Sequence, residues 1–98
     1  MKRNTKPRTR PFDSAEYLDT PEVIAAYLND ALASGSSAEL QAALNVVVRA
    51  RGLTEIAKAS GLGPENLYNS FRADAHPRFD TVQRVLTALG VQLKVSAL

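Results

Sequence analysis

At 98 residues, 45% hydrophobic and 22% charged, the chain has the length of one domain and the composition of an ordinary globular protein. It has no cysteine and one histidine, which excludes thiol chemistry, disulfides and cysteine-ligated zinc and leaves His76 too isolated for a histidine metal site or triad. No apolar run nears the roughly 18 residues of a membrane span and no secretory h-region follows the basic N-terminus, so a cytoplasmic protein is expected.

The net charge of +2 conceals a segregation. Residues 1–11 carry Lys2, Arg3, Lys6, Arg8 and Arg10, two prolines, no acid and no aliphatic side chain beyond Met1. Such a segment cannot supply a packed face, and a disordered basic tail is expected there, ahead of a single domain at 12–98. Phe12, Tyr17 and Leu18 are the first apolar anchors. From residue 11 to residue 48 the charge is wholly acidic: Asp13, Glu16, Asp19, Glu22, Asp30 and Glu39, without a base.

Thr20 is a good N-cap, Pro21 suits the first helical position, and Glu22 complements the dipole. Val23, Ile24, Tyr27, Leu28, Ala31 and Leu32 then recur at helical spacing until Gly35. Ser36 with Glu39 reads as a capping box for a second helix, whose stripe is Leu40, Ala43, Leu44, Val47 and Val48. It runs into Arg49 and Arg51 before Gly52, cations that suit the last turn of a helix. Thr54 is expected to cap a short third helix over 55–60. After the turn Gly61-Leu62-Gly63, Pro64 opens a fourth through Phe71. A loop over 72–78 contains His76-Pro77, and Phe79 to Leu89 forms a fifth helix, with Val82, Val85, Leu86 and Leu89 on one face and Gly90 as its stop. Val91-Gln92-Leu93-Lys94-Val95 alternates like a short strand. An isolated strand is unstable, so Val91, Leu93 and Val95 are expected to pair with a second subunit or with a partner's sheet edge.

Two short helices joined by a glycine-bearing turn form a helix-turn-helix pattern over 54–71. Ala57 must be small where the helices cross, Gly61 supplies a left-handed turn residue, and Ile56, Leu62, Leu67 and Phe71 anchor the pair. That leaves Glu65, Tyr68, Asn69 and Arg72 facing outward, with Gly63 and Pro64 at the helix start and Lys58 on the preceding helix. An N-terminal helix end of this kind enters the major groove: Asn69 can pair with adenine, while Tyr68 and Arg72 can reach phosphate or base. Against this, Glu55 and Glu65 offset Lys58 and Arg72, and the same geometry also serves as a packing unit in proteins that bind no nucleic acid. No nucleophile–base pair, paired-carboxylate site or phosphate-cradling glycine loop occurs, so neither an enzyme nor a cofactor or metal is expected.

In linear order, Phe12-Asp13 with Tyr17-Leu18, Ile24-Ala25-Ala26-Tyr27-Leu28, Leu40-x-x-Ala43-Leu44, Val48-Arg49-Ala50-Arg51-Gly52, Ile56-Ala57-x-x-x-Gly61-Leu62, Leu67-Tyr68, Pro77-x-Phe79-x-Thr81-Val82 and Val85-Leu86-x-Ala88-Leu89-Gly90 resemble the addiction-module antidote proteins, the antitoxins of Hig-type toxin–antitoxin pairs. The resemblance spans roughly residues 12–95. It implies an all-α, five-helix, lambda-repressor-like domain in a homodimeric antitoxin. Such a protein neutralises a Rel-like ribonuclease toxin and binds double-stranded operator DNA to repress the shared operon. This chain departs from the family's pattern where the turn commonly ends in serine and a basic or amide residue; here Gly63 caps poorly and Pro64 offers no donor.

Two electrostatic expectations complete the reading. The tail Lys2, Arg3, Lys6, Arg8 and Arg10 can lie along DNA or fold onto an acidic partner groove. Rel-like toxins tend to be basic, which assigns toxin contact to residues 12–40, with Asp13, Glu16, Tyr17, Asp19 and Glu22 as contact residues. Two alternatives stay open: a stand-alone phage- or plasmid-type repressor, and a toxin-neutralising module whose DNA binding is degenerate.

Overall fold

The computed structural model describes residues 18–72 and 74–98. Within them the chain is all-helical: α1 (Pro21–Ala33), α2 (Ser37–Arg51), α3 (Leu53–Ser60), α4 (Pro64–Ser70) and α5 (Phe79–Leu89). The expected tail at 1–11, and the anchors Phe12 and Tyr17, lie outside the described residues.

Local chemistry sets most of these boundaries. The Thr20 hydroxyl oxygen accepts the Val23 N–H at 3.2 Å, and Pro21 follows where no donor is needed. Ser36 caps α2 in the same way, accepting the Glu39 N–H at 3.2 Å. The return half of the expected capping box is made differently. The Ser36 N–H donates to the Ser34 hydroxyl at 3.1 Å, and that hydroxyl donates to the Ala31 carbonyl at 2.6 Å. One serine thus closes α1 and braces the start of α2.

Thr54 does not cap α3. The helix starts two residues earlier than expected, at Leu53, and Gly52, at φ +104°, is both the end of α2 and the cap of α3. Its N–H donates to the Val48 carbonyl at 2.9 Å and its carbonyl accepts the Ile56 N–H at 3.0 Å. A hinge of one residue leaves no room for a separate capping side chain, so Thr54 falls inside the first turn.

α1 packs on α2, α2 on α3, and α3 on both α4 and α5. The core draws on every helix. Ile24 and Leu28 come from α1, Leu44 and Val47 from α2, and Ile56 and Ala57 from α3; Leu67 and Val85, contributed by α4 and α5, are fully buried. Leu18 and Phe71 join them from outside the helices. Val23 and Leu32, expected on the buried face of α1, lie at its flanks and remain exposed.

Two left-handed glycines close helices. Gly61 (φ +79°) ends α3, and the Leu62 N–H reaches back to the Ala57 carbonyl at 3.1 Å. The space around its Cα is open, so the backbone alone requires glycine. Gly90 (φ +85°) ends α5 in the same way, with the Val91 N–H on the Leu86 carbonyl at 3.0 Å. Here the requirement is also steric, since a Cβ would sit 3.1 Å from Pro21 Cγ.

The strand expected at 91–95 does not form, and there is no strand among the described residues. The Val91 N–H is taken up by the helix end, and among the described residues no strand offers itself as a ladder partner. Val91 is half-buried, whereas Leu93 and Val95 are 40% and 99% exposed.

Candidate functional site

The outward residues of α4 follow from the two that hold it. Leu67 is wholly buried and Phe71 nearly so, and helical periodicity then turns Glu65, Tyr68 and Asn69 to solvent. Tyr68 is 58% exposed, an unusual amount of aromatic surface for a residue with no packing role. Lys58 is exposed on α3 and Arg72 just beyond α4. At the helix start, Gly63 is extended and gives no side-chain cap, and Pro64 occupies the first position without a donor.

Arg72 is engaged at both ends. Its Nε lies 3.8 Å from Asp74 Oδ1, and its carbonyl accepts a hydrogen bond from Gln41 Nε2 on α2. Both charged side chains of the ion pair are more than half exposed, so the pair adds little and the guanidinium is readily released to another anion. Beside α4, an open concavity of about 380 Å³ is lined by Asn66, Asn69, His76 and Arg78, among others. Arg78 Nε in turn lies 3.4 Å from Asp80 Oδ1. The sequence does not single out Asn66 and Arg78, and in it His76 reads as a plain loop residue. Asn66 lies three residues before Asn69 on the same helical row, a signal that was available; the fold of the 72–78 loop was not.

Of the acidic residues expected to contact a toxin, Asp19 and Glu22 are exposed at the start of α1. Asp13, Glu16 and Tyr17 lie outside the described residues, as do the tail bases Lys2, Arg3, Lys6, Arg8 and Arg10. On another face, α1, α2, α5 and the segment after Gly90 enclose a cavity of about 240 Å³ lined mainly by Leu28, Leu32, Leu40, Val82, Leu86 and Leu93. The exposed side chains of Val95 and Leu98 follow Leu93 in the same segment.

Among the described residues no group of His, Asp and Glu is arranged to hold a metal ion, and no helix is long and apolar enough to cross a membrane. The chain matches, over residues 8–97, a family model described as "Probable addiction module antidote protein". It is 36% identical over 86 residues to a Haemophilus influenzae protein named only "Uncharacterized protein", an alignment that covers 88% of this chain and 89% of that one. No solved structure matches it.

Proposed function

The chain belongs to the addiction-module antidote proteins, and on that premise we propose that it binds and neutralises a cognate toxin, a basic Rel-like ribonuclease encoded beside it. The observation that carries this reading is the family match over residues 8–97, which takes in nearly the whole chain. Its action is binding rather than catalysis, in the cytoplasm. The test is co-expression with the neighbouring reading frame. Relief of growth arrest and a stoichiometric complex are expected; a freely active toxin, with no complex, would falsify the reading.

The second half of the proposal is autorepression. α3, the Gly61–Gly63 turn and α4 form a helix-turn-helix, with Tyr68, Asn69 and Arg72 contacting operator DNA beside Gly63, Pro64, Glu65 and Lys58. What supports this is that the two anchors of α4 face the core while its polar row is exposed. The basic residues between Lys2 and Arg10 act as an arm along the duplex, so deleting residues 2–10 should flatten the salt dependence of operator binding. An unchanged salt slope excludes the arm. A homodimer is part of the reading, because the row Leu93, Val95 and Leu98 is apolar surface that a second copy would cover. Leu93→Asp with Val95→Asp should then sediment as a monomer.

One alternative has observations in its favour: a toxin-neutralising module with degenerate DNA binding. α4 starts without a side-chain cap, and Glu65 places a carboxylate in its first turn. A gel shift on the chain's own promoter separates the two readings. No sequence-selective shift at moderate salt leaves the module reading.

A further inference from the structure

Between α1 and α2 the surface opens into a concavity of about 340 Å³. Its floor is small or apolar, made by Ala31, Ala42 and Val46 with the half-buried ring of Tyr27, and Asp30 and Glu39 stand along it. Alanine side chains at this point leave the helix backbones close to the surface, so a partner's side chain can lie deep between them.

Among the described residues neither carboxylate is paired with a cation. The ion pairs among the described residues are Arg72–Asp74 and Arg78–Asp80, both beyond α3. From residue 11 to residue 48 the chain contains no lysine or arginine that could supply one. We propose that this concavity is the docking site for a basic protein surface. A lysine or arginine of the partner lies with its stem along Ala42 and Val46, beside the Tyr27 ring, and its cation between Asp30 and Glu39. Nucleic acid is disfavoured here by the same two charges. A second copy using this face symmetrically would set acid against acid. The assignment rests on the antidote reading, which makes the basic partner the toxin, and it moves the contact from the start of α1 to the α1–α2 groove.

The experiment uses the purified full-length chain and the purified protein encoded beside it, by calorimetric titration at two salt concentrations. Asp30→Asn with Glu39→Gln should weaken binding about tenfold and reduce its salt dependence. Ala42→Arg, which fills the groove with the chain's own cation, should weaken it by about a hundredfold or more. The altered side chains are all exposed, and unchanged helical circular dichroism and melting temperature verify that each variant folds.

Asp19→Asn with Glu22→Gln should weaken binding less than the groove pair does; a loss equal to that of the groove pair would mean a diffuse acidic field and overturn the site. If the parent binds and the groove variants bind equally well, the site is wrong and the antidote reading stands. Failure of the parent to bind or neutralise removes the antidote reading and the site with it. If Ala42→Arg instead changes the sedimentation of the chain alone, a second copy occupies the groove and the proposal fails.

Discussion

The two halves of the molecule are both helical pairs, but they are joined and charged differently. α1 and α2 are long, each capped by a hydroxyl side chain, and their exposed charges up to Val48 are all acidic. α3 and α4 are short, start at glycine caps without a side-chain bond, and carry charges of both signs. A long helix pair with side-chain caps at both starts can present a fixed electrostatic face. A short pair depends on its anchors, and its surface is only as well placed as Leu67 and Phe71 make it. The comparison teaches that the two surfaces are separable: one set by charge on a firm support, the other by packing under a thin helix.

The harshest way to break the comparison is Leu67→Ala. It should cost about 2–5 kcal/mol, because α4 has little else in the core, and thermal melting should fall by well over 10 °C. Trimming an α1 residue of similar burial should leave α4 ordered, as amide exchange would report. Next is Asn69→Ala with Arg72→Ala, each expected to cost operator binding about 1–3 kcal/mol by gel shift while toxin affinity is unchanged. Equal loss in both assays would mean that the halves are not separable. Third, Gly61→Ala should cost about 1–2 kcal/mol from backbone strain alone, and Gly90→Ala more, since its new Cβ also meets Pro21; chemical denaturation ranks the two. The smallest effect belongs to Gln41→Ala, about 1 kcal/mol, through loss of the bond to the Arg72 carbonyl. It should lower operator affinity more than toxin affinity, because it loosens the end of α4.

Helix ends written in local chemistry were legible in the sequence. Thr20 with Pro21, Ser36, Gly61 and Gly90 each stop or start a helix by a bond within four residues or by a backbone angle that favours glycine. Thr54 was misleading for the same reason: it has the chemistry of a cap, but Gly52 turns the chain in one residue and leaves it nothing to do. Alternation over 91–95 describes a strand only if a ladder partner exists, and a helix-end bond holds Val91 instead. The α1–α2 concavity was illegible because Ala31 and Ala42 come from different helices, and only their crossing makes a floor. The outward row of α4 was legible because 3.6-residue periodicity needs only Leu67 and Phe71 to be fixed. The loop that brings His76 and Arg78 beside it has no periodicity to read.

The closeness of Pro21 and Gly90 has a consequence for chain connectivity. The first residue of α1 lies so near the residue that closes α5 that a Cβ on Gly90 would meet Pro21, so the five helices run in an almost closed circuit. A circular permutant that joins the segment after Gly90 to the segment before Thr20, and opens instead in the exposed turn at Ser34–Gly35, should retain the helical core. In that permutant α1 and α2 would be the two ends of the chain, with their packing unchanged and the acidic face and the exposed row of α4 held apart as before.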